Sequence, residues 1–292
     1  MIPPTAILSS PVRRSVPLGG GAARVELADG RTVVVKEGPG VAAEAAGLRW
    51  LAVPGGPPVP AVLALDGARL VTEHVPPGRP SAAAAAELGR RLAALHATGT
   101  ARPSGPADGP GLLPAPAFGT GPPGTAEDAW IGRAPMRNVP AAEWAPWYAA
   151  HRVAPYLARA RDAGDLTATE AAVIESVCDR LPELAGPPEP PARLHGDLWS
   201  GNVLWSTDGA WLIDPAAHGG HRETDLAMLA LFGCPHLDTV LAAYDEAAPL
   251  ASGWRDRVPL HQLFPLLVHV VLFGRGYAGQ CVAAARAALG SC

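Results

Sequence analysis

Three side chains that offer oxygen ligands lie within one stretch, residues 193–214, at spacings that suit phosphoryl transfer. Asp197 precedes Asn202 by five positions. Catalytic loops that transfer phosphoryl groups use this interval for an Asp that accepts the hydroxyl proton and an Asn that binds Mg²⁺. Asp214 adds a second carboxylate, a type of ligand that Mg²⁺ prefers. The stretch therefore predicts a catalytic base at Asp197 and magnesium ligands at Asn202 and Asp214.

A β-hairpin is predicted between this loop and Asp214. The short apolar segments VLW and AWLI flank residues 206–209, which end in an Asp-Gly pair typical of tight hairpin turns. The hairpin would return Asp214 to the side of Asp197. An isolated HGD triplet or Asp-Gly turn occurs in many ordinary loops, so the prediction depends on the whole combination. His195 is expected to be a buried support of the loop, because Asp197 already supplies the base.

The N-terminal part predicts an antiparallel sheet. Two hairpins, within residues 22–36 and 61–75, turn at Asp-Gly pairs between β-branched and apolar runs. The first hairpin follows Gly19, Gly20 and Gly21, whose backbone N–H groups could approach phosphate oxygens without obstruction. A glycine triplet is equally often a flexible turn, and the phosphate-binding interpretation depends on the lysine that follows.

Lys36 ends the second strand of this sheet, where a phosphate-binding lysine would stand. Glu44 follows eight residues later on a predicted helix, in the right order for a Lys-Glu pair that holds the lysine against ATP phosphates. The alternative is a solvated surface ion pair of little energetic value. We also expect adenine to meet the backbone at the end of the last strand, at Glu73, His74 and Val75.

The remainder of the chain is predicted to be mainly helical. Helices are expected over residues 81–96, from Thr167 with a capping box to a point before Pro182, over 237–244 and 260–273, and in the alanine-rich tail. Residues 101–128 contain seven Pro and six Gly, which excludes a regular element. Asp225 is expected to support the catalytic loop rather than take part in chemistry. Three aromatic residues are assigned to the core, namely Trp144, Trp147 and Tyr148.

The run LHGDLWSGNV, with IDPAAHGGHRETDLAMLALFG and HQLFPLLVHVVLFGRGY after it, resembles the fructosamine (ketosamine) kinase family. That family belongs to the aminoglycoside phosphotransferase-like kinases, and the resemblance extends from about Gly19 to Tyr277. It implies an α+β, protein-kinase-like bilobal fold. A small antiparallel β N-lobe (residues 1–77) would bind ATP, and a mainly α-helical C-lobe (residues 78–292) would carry the catalytic and substrate residues.

The resemblance also implies a reaction, in which the γ-phosphoryl group of ATP passes with Mg²⁺ to the 3-hydroxyl of a small ketosamine so that the adduct can break down. Trp199 would stack on the acceptor, and His218 stands where the family usually has aromatic residues, so both are predicted substrate residues. Two alternatives remain open: a kinase for aminoglycosides or other small alcohols, and an inactive nucleotide-binding protein.

Composition limits the possible partners. The 292 residues carry a net charge of −4 with a pI near 6.1, which gives no basic field for nucleic acid. The longest apolar run, residues 263–273, is broken by Pro265 and His269 and is too short for a membrane span. Four scattered cysteines without metal-binding spacing are typical of a reducing compartment. We therefore expect a cytoplasmic enzyme, monomeric, with a small-molecule acceptor.

Overall fold

The N-terminal part of the chain forms a five-stranded antiparallel sheet. The computed structural model describes residues 10–98, 117–125 and 128–290. The strands follow the spatial order β1-β2-β3-β5-β4, and helix α1 (Val41–Leu51) lies between β3 and β4 in the chain. The strands are β1 (Val12–Gly19), β2 (Ala22–Leu27), β3 (Thr32–Glu37), β4 (Val62–Asp66) and β5 (Arg69–Glu73).

Both predicted hairpins are confirmed, since β2 pairs with β3 and β4 with β5 around the two Asp-Gly turns. Strand β1 was not predicted. It is an edge strand that is exposed along most of its length and contains Pro17, so it lacks the alternation that identifies a half-buried strand. Its pairing with β2 places Gly19 at the end of β1 and Gly20 and Gly21 in the connecting turn, each with positive φ.

The second part of the chain is mainly helical, as predicted. Its helices are α2 (Ala82–Thr98), α3 (Trp144–Tyr148), α4 (Ala154–Asp162), α5 (Ala168–Leu184), α6 (Arg222–Leu231), α7 (Leu237–Ala247), α8 (Trp254–Phe273) and α9 (Ala278–Gly290). Its strands form three hydrogen-bonded pairs: β6 (Asp128–Ile131) with β7 (Ala134–Arg137), β8 (Ala192–Leu194) with β11 (His218–Gly220), and β9 (Val203–Ser206) with β10 (Gly209–Leu212). A turn of π-helix, Ala149–Val153, joins α3 to α4.

Two apolar clusters hold the helical part together. The larger one joins α3, α4, α5, α8 and α9 and contains Trp144, Trp147 and Tyr148, so their assignment to the core is confirmed. The smaller one joins α2, α6 and α7 to the β9-β10 hairpin through residues such as Leu92 and Leu212. This second cluster fixes the position of the hairpin that leads to Asp214. The division of the chain into lobes at residues 77 and 78 stays a prediction.

Several helix boundaries differ from the predictions, and α2 and α7 end at Thr98 and Ala247, two and three residues later than expected. The capping box of Thr167 and Glu170 is confirmed, but α5 does not end before Pro182. Leu181 and Leu184 are 1% and 7% exposed, so packing of the last turn outweighs the hydrogen bond that a proline removes. Helix α8 begins at Trp254, six residues earlier than expected, and continues through Pro259 and Pro265.

The remaining predictions concern segments with little regular structure. Residues 117–125 contain no helix, and most of the Pro- and Gly-rich stretch lies outside the described residues. Cys178, Cys234 and Cys281 are free thiols, and Cys292 also lies outside the described part. Among the described helices, none combines the length and apolar character that crossing a membrane requires.

Candidate active site

The loop that carries Asp197 is fixed from beneath by a buried carboxylate. Asp225, 1% exposed on α6, accepts hydrogen bonds from the backbone N–H of His195 (2.7 Å) and Gly196 (2.9 Å). The ring of His195 is fully buried and donates from Nε2 to the carbonyl oxygen of Ile213 (2.9 Å). Its Nδ1 accepts from the backbone N–H of Asp197 (3.3 Å). The geometry agrees with the supporting roles predicted for Asp225 and His195.

Asn202 and Asp214 are brought to Asp197 by two short elements. A 3₁₀ turn over Ser200–Asn202 directs the Asn202 side chain back, where Nδ2 donates to the backbone oxygen (2.8 Å) and Oδ2 (3.1 Å) of Asp197. The β9-β10 hairpin then returns the chain, and Ile213 N donates to the Asn202 carbonyl oxygen (3.1 Å). Asp214 follows with φ of +53°, a left-handed conformation that is unfavourable for most residues but occurs at functional sites. The β9-β10 hairpin therefore returns Asp214 to the side of Asp197, as predicted from the sequence.

Lys36 links the sheet to this loop. Its Nζ lies 2.6 Å from Glu44 Oε2 on α1 and 3.0 Å from Asp214 Oδ2. The Lys36 and Glu44 side chains are 21% and 13% exposed, so this pair is shielded from solvent, unlike an ordinary surface ion pair. The structure thus joins the predicted lysine, its glutamate partner and the predicted metal ligand in one contact network.

Two carboxyl groups of this network, Asp197 and Glu44, have raised pKa values. Burial raises the pKa of Asp197 to about 7, the negative charge of Asp214 adds to this, and the Asn202 hydrogen bond opposes it. Burial also raises the pKa of Glu44, while Lys36 opposes the shift. Burial by itself would lower the pKa of Lys36, but the charges of Glu44 and Asp214 raise it, so this lysine stays protonated. A base with a pKa close to neutrality suits proton transfer from a hydroxyl.

The cleft around these residues has two sides, which share Gly20, Lys36, Glu44 and Asp214. One side is a cavity of about 660 Å³ whose lining includes Gly19, residues 73–75, Trp199 and Asn202. The other is a cavity of about 710 Å³ whose lining includes Gly21, Asp197, Trp130, Arg133 and Phe273. The predicted glycines, adenine-binding segment and catalytic residues therefore all face one continuous cleft.

The two predicted acceptor residues occupy different environments. Trp199 is 38% exposed, which rules out a core position, and it lines the cavity with residues 73–75 rather than the cavity with Asp197. His218 is 2% exposed, and its Nδ1 hydrogen-bonds the carbonyl oxygen of Ala216 (2.8 Å). Burial lowers the pKa of His218 to about 3. The prediction of a direct acceptor contact by His218 is corrected, because strand β11 turns the ring into the protein.

Several lining residues of the Asp197 side were not assigned from the sequence, among them Trp130, Arg133 and Phe273. Trp130 and Arg133 belong to the β6-β7 hairpin, whose Gly132 has φ of +55°, and Phe273 ends α8. Their sequence signals are weak, because a Gly-Arg turn and a helix-terminal Phe are common. Only the tertiary contact between separate elements identifies them.

A buried cluster outside the cleft brings together His221, Glu223 and His261, with one possible ligand atom of each within 4.8 Å of the others. The sequence had shown no metal-binding spacing. Arg257 contacts both Glu223 oxygens (2.6 and 3.0 Å), and His261 Nε2 lies 3.3 Å from Glu223 Oε2. Despite burial, these contacts lower the pKa of Glu223 to about 2. The ion pair between Glu223 and Arg257 thereby joins α6 to α8.

Comparison with known proteins agrees with this geometry. The family model described as fructosamine kinase matches residues 36–290. A probable ketoamine kinase of Escherichia coli K12 is 32% identical over 240 residues, which cover 81% of this chain and 76% of that protein. The ketosamine-3-kinase of Mus musculus is 35% identical over 151 residues, covering 51% of this chain and 48% of that protein.

A solved structure extends the similarity to nearly the whole chain. It is a protein of Thermobifida fusca, provisionally assigned as a fructosamine-3-kinase, with 47% identity and a TM-score of 0.85 over 98% of this chain and 96% of that one. Two further bacterial relatives align over only 32% and 31% of their own length, at 47% and 51% identity. The similarity to the solved structure thus spans nearly the whole chain, whereas these two relatives match only a segment of it.

Proposed function

The chain belongs to the fructosamine kinase family, and from this premise we propose that it transfers the γ-phosphoryl group of ATP to the 3-hydroxyl of a small ketosamine. One observation carries the proposal. Lys36, Glu44 and Asp214 form one ion-pair network in the same cleft as Asp197, whose pKa is close to neutrality. This arrangement provides phosphate binding and a proton acceptor within one cleft.

The side of the cleft with residues 73–75 is the proposed nucleotide site. Its backbone at Glu73, His74 and Val75 would meet adenine, and the N–H groups of the β1-β2 turn would approach the phosphates. Lys36, held by Glu44, would contact the phosphates as a fixed positive charge. The volume of about 660 Å³ lies within the range of small-molecule sites.

The donor atoms near Asp197 suit Mg²⁺. The side chain of Asp214 is 45% exposed, and Asn202, which lines the same cavity, offers an amide oxygen. Both are hard oxygen ligands, and a site with few protein groups matches an ion that retains water. When bound, Mg²⁺ would neutralise phosphate charge. Asn202 and Asp214 are the residues we propose to hold it.

Asp197 is the proposed base. Its backbone N–H contacts His195 and its Oδ2 accepts from Asn202, so the carboxylate has a fixed orientation before the acceptor arrives. The acceptor hydroxyl would approach from the side with Asp197 and lose its proton to this carboxylate as the phosphoryl group moves. Orientation contributes more than base strength, because the transition state for phosphoryl transfer is loose.

The acceptor assignment comes from the relatives, whose names describe ketoamine and ketosamine kinases. Trp199 remains our proposed acceptor contact, although it lines the side with residues 73–75, because it stands two residues after Asp197 and its exposed ring can stack on a sugar or its amine substituent. We further propose a monomeric cytoplasmic enzyme that acts on small glycated amines and binds neither nucleic acid nor membranes.

An ADP-release assay tests the proposal with ribulosamine, fructosamine, ribose, lysine and kanamycin at equal concentrations. We expect both ketosamines to be phosphorylated faster than the other three compounds, with the product carrying phosphate at the 3-position by NMR. Faster turnover of kanamycin or ribose would replace the ketosamine assignment with another small-molecule kinase. ATP binding without ADP release on any acceptor would instead indicate an inactive nucleotide-binding protein.

A further inference from the structure

Exposed large apolar side chains concentrate beside the catalytic loop. Within the described residues there are five of them, and Trp199, Phe232 and Phe273 lie in one region, at 38%, 37% and 58% exposure. Val12 and Leu18, the other two, lie on strand β1 of the sheet. Isolated exposed apolar residues are ordinary, whereas a contiguous group indicates a binding surface.

Ring contacts connect these residues into a continuous surface. The Trp199 ring meets Phe232 edge-on with a centroid distance of 6.2 Å, and Phe232 meets His269 at 4.9 Å. His269 in turn contacts Phe273 (5.4 Å) and Tyr277 (5.0 Å). We call this surface the aromatic strip, which comprises Trp199, Phe232, His269, Phe273 and Tyr277.

The aromatic strip reaches both sides of the active-site cleft. Trp199 stands two residues after Asp197 and lines the side with residues 73–75, whereas Phe273 lines the side with Asp197. An acceptor whose hydroxyl meets Asp197 would therefore have the strip within reach of its other end. No function assigned so far uses Phe232, His269 or Tyr277.

Rigid supports hold the strip in place. Phe232 follows the last residue of α6, and Phe273 ends α8 immediately before Gly274, whose φ is +82°. His269 Nδ1 hydrogen-bonds the carbonyl oxygen of Pro265 at 2.7 Å, which fixes the ring. Burial lowers the pKa of His269, so the ring is neutral at physiological pH and adds no positive charge to the surface.

We propose that the aromatic strip binds the amine side of the acceptor, a secondary ammonium that carries an apolar substituent. This inference rests on the proposed function, because a ketosamine joins its sugar to such a nitrogen. A cation is attracted to the faces of aromatic rings, and an apolar substituent loses contact with water against Phe232 and Phe273. The strip would thus select ketosamines of bulky apolar amines over those of small amines.

Two ketosamines that share one sugar test this selection, one made from benzylamine and one from ethylamine. The readout is the ratio of their kcat/KM values. We expect Phe232→Ala and Phe273→Ala each to lower the benzyl-to-ethyl ratio roughly threefold to fivefold, and the double variant to lower it more than tenfold. Phe273→Leu should restore part of the ratio through apolar area. Val12→Ala, a matched loss of exposed apolar surface on β1, should leave the ratio unchanged.

The outcomes separate this inference from the proposed function. Turnover of the ethylamine compound by the unaltered enzyme tests the proposed function by itself. If neither compound is phosphorylated, calorimetric titration of the benzylamine compound still tests whether the aromatic strip binds the amine side. Weaker binding to the double variant than to the unaltered enzyme supports the inference, and equal binding overturns it. An unchanged ratio in the double variant also overturns it. Conversion of a dimer to a monomer by the double substitution would overturn it too, by showing that a second copy of the chain covers the strip.

Discussion

Replacing Asp197 by Asn should abolish turnover while making the protein more stable. The amide keeps the shape of the side chain and can still accept a hydrogen bond from Asn202 Nδ2 through its oxygen. It cannot accept the acceptor proton, and loss of a general base costs roughly 10²–10⁴-fold in kcat. Binding of ATP should change little, because the side chain faces the acceptor side of the cleft.

The stability gain follows from the raised pKa of Asp197, about 7 in the folded protein against an ordinary value of 3.8. Between these values the folded state holds a proton that the unfolded state has lost, so stability falls as pH rises through this window. The full difference corresponds to roughly 4 kcal/mol, and partial solvent access reduces our expectation to about 2 kcal/mol. The variant avoids this cost, which should raise Tm by roughly 4–8 °C at pH 8.

Calorimetric unfolding of both proteins without ligand, at pH 8 and at pH 4.5, measures the effect. The difference in Tm should be largest at pH 8 and should shrink towards pH 4.5, where the wild-type carboxyl is protonated in the folded state. A difference that is independent of pH would refute the raised pKa of Asp197 as its cause. A loss in kcat below roughly tenfold, about 1.4 kcal/mol of barrier, would refute the role of Asp197 as base.

Five further substitutions test the metal ligand, the Lys36-Glu44 pair and the packing of two helices. Asp214→Asn should raise the Mg²⁺ concentration for half-maximal activity roughly tenfold, and an unchanged Mg²⁺ dependence would exclude Asp214 as a ligand. Lys36→Met should lower kcat/KM more than Glu44→Ala does, since the second variant retains the lysine charge. Full activity of Glu44→Ala at saturating ATP would show that the Lys36-Glu44 ion pair does not contribute to catalysis. Gly89→Ala should lower Tm by an amount equivalent to about 1–3 kcal/mol, because the new methyl group would overlap the backbone of α7. Gly279→Ala should instead raise Tm slightly, because open space surrounds that position.

The sequence determined the chemistry of the site because that chemistry depends on local spacing. Asp197 and Asn202 are five residues apart, and a tight Asp-Gly hairpin returns Asp214 to them, so one short segment specifies all three positions. The Lys36-Glu44 pair is also local, since a strand end and the next helix fix its geometry. Most helices could also be predicted from the sequence, because their apolar residues recur with helical periodicity.

Only the tertiary structure decided which residues lie around the proposed acceptor site. Trp130, Phe232 and Phe273 come from separate elements, and none stands in a local pattern that distinguishes a ligand contact from a core residue. His218 was predicted from its position in the sequence to line the cleft, but the pairing of β11 with β8 buries its side chain. Edge strand β1 was missed because exposed strands lack an apolar alternation. Local spacing can specify a reacting centre, but the walls of its pocket depend on packing between distant segments, which no short pattern encodes.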